Sequence, residues 1–231
     1  MKDYIHKEYP KTCEPDDFFG QVKRTVNGKP VSPEQIAMIV SAITSGLELA
    51  AGETLVDIGC GNGALSQYLF ERCDLYQGVD FSEYLIEVAQ KNFENPPLHT
   101  FKLMDAVQYV ETEPSPERFE KALCYGVFSY FSPASAERLL SVLKTRFTGL
   151  KRIFIGNLPD RDLAARFYPE GEDFTHLLDD AQSPLGIWRS QDFMRDLAAS
   201  TGWNAEFRKM PDDFYASRYR FDAILTPGGD G

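Results

Sequence analysis

The sequence predicts an α/β fold: an open, mainly parallel sheet of seven strands, with helices on both faces and an antiparallel hairpin at the C-terminal end. Three observations carry that prediction. Short apolar runs alternate with segments of helical periodicity from residue 32 to about residue 225. A glycine-rich turn, Gly59-Cys60-Gly61-Asn62-Gly63, stands where the first apolar run passes into a helical segment. The last two runs have only residues 211–217 between them, too few for a parallel crossover, so they pair as a hairpin.

Each element has its own justification. Residues 1–31 mix acids and bases with Gly20, Asn27-Gly28 and Pro30, and read as an irregular arm. Ser32-Pro33-Glu34 is an N-cap with proline at the first helical position, and Ile36, Ile39, Val40, Ile43 and Leu47 follow at helical spacing. A helix over 32–49 results, ended by Ala51-Gly52. Thr54–Ile58 is the first strand, and 64–73 a helix with Leu65, Tyr68 and Leu69 on one face. Residues 75–79 form the second strand. Ser82 caps a helix to Asn92, Pro96-Pro97 breaks the chain, and 98–104 is the third strand. Residues 111–117, with two prolines and three glutamates, read as a surface loop. Lys121–Tyr125 is the fourth strand, 133–147 a helix carrying Leu139, Leu140 and Leu143, and 152–155 the fifth strand. The polar, aromatic segment 157–189 interrupts the rhythm. Ser190 then caps a helix to about Ser200, Gly202 ends it, and 204–210 and 218–225 close the sheet. The expected organisation is a single domain over 1–231, with 1–31 an arm and 157–189 a lid-like insertion.

Composition narrows the function. The 231 residues carry 24 Lys+Arg against 35 Asp+Glu, a net charge of -11, which disfavours nucleic acid or an anionic membrane as the main partner. Cys13, Cys60, Cys73 and Cys124 form no C-x-x-C pair and no zinc spacing, and no cluster of acids and histidines has metal-ligand spacing. The first residues lack the apolar core of a signal peptide, and no apolar run is long enough to span a bilayer. A cytoplasmic protein without a metal centre is expected; the oligomeric state is not legible.

Glycines at a strand-to-helix turn let a ligand approach the backbone, and the turn offers free amides. The spacing also satisfies the permissive dinucleotide fingerprint, so an NAD(P)-dependent oxidoreductase stands as an alternative. Against it, Asp57 places a carboxylate two residues before Gly59, where it would repel a pyrophosphate and attract an amine. Asp80, 23 residues beyond Asp57 at the end of the second strand, stands where an acid reaches ribose hydroxyls.

Val56-Asp57-Ile58-Gly59-Cys60-Gly61-Asn62-Gly63 closely resembles the first signature motif of class I S-adenosylmethionine-dependent methyltransferases, a Rossmann-like family. Gly78-Val79-Asp80-Phe81-Ser82, Leu103-Met104-Asp105-Ala106 and Phe119-Glu120-Lys121-Ala122-Leu123-Cys124-Tyr125-Gly126-Val127 continue the resemblance, although Glu120 stands where the family commonly has Asp. The resemblance implies S-adenosylmethionine as cofactor. It places Gly59, Cys60, Gly61 and Gly63 around that cofactor, with Asp57 toward its amino end. Asp80 would take the ribose, Phe81 beside it the adenine face, and Ser82 completes that motif. Asp105 and Ala106 would meet the adenine edge, and the backbone near Cys124 and Tyr125 the methionine portion.

Methyl transfer from a sulfonium is an in-line displacement that mainly needs alignment and a dry site, plus a proton acceptor when the nucleophile is a hydroxyl. Phe128, Tyr130 and Phe131 follow the fourth strand and supply walls, and the arm and 157–189 supply covers. Of the three histidines (His6, His99 and His176), His176 is the candidate general base because it falls in the insertion. The stretch Gln21-Val22-Lys23-Arg24 reads as a solvated face, or alternatively as a contact for the cofactor carboxylate or an acidic acceptor. The expected activity is methyl transfer to a small molecule, to a hydroxyl oxygen in preference to an amine. A cofactor-binding protein without catalysis is the remaining alternative.

Overall fold

Seven strands form one sheet: β1 (Thr54–Ile58), β2 (Leu75–Asp80), β3 (His99–Leu103), β4 (Lys121–Tyr125), β5 (Arg152–Pro159), β6 (Trp203–Arg208) and β7 (Arg220–Pro227). Their spatial order is β3-β2-β1-β4-β5-β7-β6. The first five run parallel, and β7 lies antiparallel to both β5 and β6, as the short 211–217 connection requires. This computed structural model describes residues 4–26 and 28–229. Met1, Lys2, Asp3 and Asn27 of the expected arm, with Asp230 and Gly231, lie outside the described residues.

Helices cover both faces, as expected. The helix α1 (Pro33–Leu47), whose Ser32 side chain accepts from the Gln35 amide, packs on one face with α2 (Glu83–Phe93). On the other lie α3 (Ala106–Thr112), α4 (Pro133–Arg146) and α5 (Gln191–Ser200). Two apolar layers sandwich the sheet, and every residue of β4 is buried between them. Among the described residues, no helix is long and apolar enough to cross a membrane.

Four expectations are corrected. The helix over 64–73 is a 3-10 helix, Ser66–Arg72; its three-residue period buries Ser66 and Leu69 and leaves Tyr68 47% exposed. Residues 111–117 are not simply a surface loop, because α3 occupies 106–112 with Tyr109 and Val110 inward. Glu113 is buried beside Arg118, with Oε1 to Nη2 at 3.5 Å. Strand β5 does not stop at Ile155; a register shift between Ile155 and Leu158 carries it to Pro159, with Asn157 at φ 66° and its amide donating to Asp222 Oδ1 at 2.7 Å. Ser82 sits at the N-cap of α2, but its hydroxyl donates to the His6 carbonyl (2.8 Å) instead of accepting from the helix.

The two irregular segments are both packed. Asn62 Nδ2 donates to the Phe18 carbonyl (2.8 Å) and to Gln21 Oε1 (2.9 Å), tying the arm to the glycine turn. In the insertion, Trp188 is buried and the Arg189 guanidinium donates to the carbonyls of Phe128 (3.1 Å) and Phe131 (2.6 Å). Those bonds hold the end of the insertion over the turn that follows β4.

Candidate functional site

Parallel strands deliver their loops to one edge, and here the loops after β1, β2, β3 and β4 converge at the carboxyl end of the sheet. After β1 the chain turns back on itself: the amides of Gly59 and Cys60 both donate to the Val79 carbonyl, at 2.7 and 3.1 Å. Gly59 has φ 79°, and a Cβ there would stand 2.4 Å from Val127 Cγ2. Gly61, at φ 59°, would bring a Cβ 3.0 Å from Val22 of the arm. Side chains other than hydrogen are thus strained in this turn, and the backbone stays open to a ligand.

Asp80 closes β2. Its Oδ2 accepts from the Gly61 amide (3.0 Å) and its Oδ1 from the Ser82 amide (2.8 Å), so one carboxylate joins the ends of β1 and β2. Burial raises its pKa, while those amides pull it back. Asp57, at the end of β1, is buried and raised to about 6 by desolvation, opposed by hydrogen bonds from Tyr76 (2.8 Å) and Ser66 (3.1 Å). Burial also pushes the Cys60 thiol well up, which leaves it a neutral part of the wall.

Two adjoining cavities along this edge share part of their lining. A larger one of about 640 Å³ is lined by Phe81, Met104, Asp105 and Ala106. A smaller one of about 300 Å³ is lined by Asp57, Gly59, Cys60, Gly61 and Tyr125. The two share Ile5, His6, Gly59, Asp80, Val127 and Tyr130, so they form one continuous trough with Asp80 at its waist.

Nine of the expected site residues therefore line the trough. Gly63, Ser82 and Cys124 line neither cavity. Gly63 backs onto Phe93 and Phe101, Ser82 is turned to His6, and Cys124 is buried within β4. Asp105 caps α3 through Oδ1, which accepts from the amides of Val107 (2.9 Å) and Gln108 (3.1 Å). His176 is not brought to the site: it is exposed on the turn Thr175–Leu177 and lines neither cavity.

The histidine at the trough is His6, edge-on to Tyr130 with ring centroids 4.4 Å apart. Arg24 places its guanidinium over Tyr125 at 5.3 Å. Asn157, Tyr215, Tyr219 and Arg220 form the end of the smaller cavity under β5 and β7. Apart from the basic stretch around Arg24, these residues carried no sequence signal. The arm lacks periodicity, and the others gain their position from the shift in β5 and the antiparallel return of β7.

Strand order, a glycine turn after β1 and an acid ending β2 define a Rossmann-like α/β domain with the fold of the class I S-adenosylmethionine-dependent methyltransferases. Residues 55–146 match the family model of a methyltransferase domain, which bears out the resemblance read from the glycine motif. Among solved structures, the cyclopropane synthase MmaA2 from Mycobacterium tuberculosis superposes with TM-score 0.64 at 18% identity, over 91% of this chain and 78% of that one. A magnesium protoporphyrin IX methyltransferase from Synechocystis PCC 6803, solved with bound SAH, gives TM-score 0.60 at 18% identity, over 84% and 83% of the two chains. A ubiquinone biosynthesis O-methyltransferase of Coxiella burnetii is 28% identical over 107 residues, 39% of this chain and 44% of the relative. The chain thus spans less than half the length of that curated relative.

Proposed function

We propose that this chain transfers a methyl group from S-adenosylmethionine to a hydroxyl oxygen of a small molecule held in the smaller cavity. The observation that carries the proposal is the continuous trough, with the open glycine turn and the Asp80 carboxylate together at its waist. The residues fit the cofactor. Asp80 offers acceptors for two ribose hydroxyls. Phe81 and Ala106 wall the larger cavity of about 640 Å³, where Asp105 would meet the exocyclic amine of the adenine. Asp57, raised only to about 6, is charged at neutral pH and suits an ammonium, while Arg24 suits a carboxylate.

When bound, the cofactor supplies an activated sulfonium methyl. The protein's own contribution is alignment, exclusion of water and a proton acceptor. His6, where the two cavities meet, is placed for that last role, in which His176 was expected. The O-methyltransferase relative supports oxygen as the nucleophile. Covers from two segments support a small acceptor in preference to nucleic acid or membrane: Val22 and Arg24 come from the arm, Phe167 and Leu185 from the insertion. We read 1–231 as a single domain with these two covers, working in the cytoplasm, where its four free cysteines stay reduced.

Turnover of radiolabelled S-adenosylmethionine against a panel of hydroxylated and amine acceptors tests this function. A labelled ether or ester product is expected, and the His6→Ala variant should make it ~10²-fold more slowly. Exclusive labelling of amines would refute oxygen transfer.

A further inference from the structure

At the end of the smaller cavity remote from the glycine turn lies a cation with no carboxylate within ion-pair distance among the described residues. Arg220 begins β7, three strands from β1 and so roughly 14 Å across the sheet from the turn. Its Nη1 donates to the Asn157 carbonyl at 2.5 Å, while its Nε is buried with no partner. What remains is the Nε–Nη2 edge, the fork that matches both oxygens of a carboxylate. Asn157 stands beside it at φ 66°, held by the hydrogen bond its backbone N–H donates to Asp222 Oδ1, and its buried side-chain oxygen is also unpartnered. A half turn of that amide presents its NH₂ to the same space. Left-handed backbone on a non-glycine residue and two unmet buried polar atoms on neighbouring strands are costs that a ligand would offset.

The surroundings agree with an anion. Among the described residues, neither Arg220 nor Arg24 has a carboxylate within ion-pair distance, in a chain whose net charge is -11. Asp222, two residues along β7 and so on the same face, has its pKa drawn down by Arg220, but it lies beyond ion-pair distance, its Oδ1 accepts from the Asn157 amide, and it lines a groove beside Met38 and Phe154. Burial raises the Tyr215 hydroxyl, and Arg220 and Arg24 both pull it back, so both positive charges act on this tyrosine. A cofactor with one carboxylate engages one of them. Arg24, over Tyr125 next to the turn, is the nearer to the methionine end. Tyr130, Tyr215, Tyr219 and Phe167 supply flat walls.

We infer, building on the methyltransferase reading, that the acceptor is a small planar carboxylic acid, its carboxylate held by the free edge of Arg220 and the Asn157 side chain. The reacting hydroxyl then points back along the cavity toward the glycine turn.

Calorimetric titration of the wild-type protein saturated with S-adenosylhomocysteine tests this, using matched probes: benzoate and benzamide, 4-hydroxybenzoate and 4-hydroxybenzamide, 4-hydroxyphenylacetate and its amide. At least one acid should bind about tenfold tighter than its amide. The Arg220→Gln variant should lose that preference, Arg220→Lys should recover part of it, and both should keep S-adenosylhomocysteine affinity within about twofold. The inference is overturned if no acid is preferred in the wild type, or if the preference survives in Arg220→Gln. A loss of S-adenosylhomocysteine affinity in Arg220→Gln would overturn it too, by placing Arg220 on the cofactor. Failure of the wild type to bind S-adenosylhomocysteine would instead sink the methyltransferase reading. The acid and amide pairs, titrated without it, would still decide the pocket.

Discussion

Asp80 carries more of the site than any other side chain, because its two oxygens already organise the Gly61 and Ser82 amides before any ligand arrives. The Asp80→Ala variant should therefore lose ~1–3 kcal/mol of S-adenosylhomocysteine binding, from charge-assisted bonds to the ribose and from a loosened turn. Unchanged affinity in a folded variant would remove Asp80 from the site. Asp222 tests a different property, its burial. Its pKa is raised to about 6, chiefly by desolvation, so the folded protein holds that proton more tightly than the unfolded chain does. The sign follows: between about pH 4 and 6 the native state binds more protons, and stability falls as pH rises through that window. Asp222→Asn should accordingly be more stable than wild type at pH 7.5, by ~1–3 kcal/mol, with the advantage gone near pH 4. Thermal melts at the two pH values check this, and a lower midpoint at pH 7.5 would contradict it.

At the scale of elements, the arm contributes wall where a loose cover was expected. Ile5 and His6 line both cavities, and Asn62 is bonded to Phe18 and Gln21. Deleting residues 1–19 should leave the sheet folded, yet weaken S-adenosylhomocysteine binding about tenfold, since the ligand loses one side of its enclosure. Full affinity in the truncated protein would confine the arm to the acceptor. The insertion differs, being anchored by Trp188 and Arg189. Limited proteolysis should cut the arm before residues 157–189, and S-adenosylhomocysteine should slow that cut. These differences mark where the sequence was silent. Strands and long helices announce themselves through apolar spacing, and all seven strands begin within two residues of where that spacing put them, although β5 runs on past Ile155. The arm has no such periodicity. Helix α3, with seven residues, is too short to show one against Pro114 and Pro116. The 3-10 helix was mistaken for a longer regular helix because Leu65, Tyr68 and Leu69 stand at i, i+3 and i+4, the α-helical spacing, although Leu65 precedes the helix.

For the whole molecule, the glycine motif and the closing hairpin together specified a mainly parallel sheet with an antiparallel return, while the spatial order of the strands emerged only in the structure. Chemistry was less legible than topology. The trough residues that the motifs contain stand at or just after the ends of strands, so their positions travel with the motifs. The far end of the smaller cavity is assembled from Asn157 of β5, from Tyr215 before β7 and from Arg220 at its start, which meet only after folding. The central claim, that the trough takes S-adenosylmethionine and not a dinucleotide, is tested most directly by calorimetry on the wild-type protein with S-adenosylhomocysteine and NAD in parallel. Asp57 and the continuous trough predict one-to-one binding of S-adenosylhomocysteine with a Kd below about 100 μM and no heat from NAD. Saturable binding of NAD, with S-adenosylhomocysteine silent, would contradict the account.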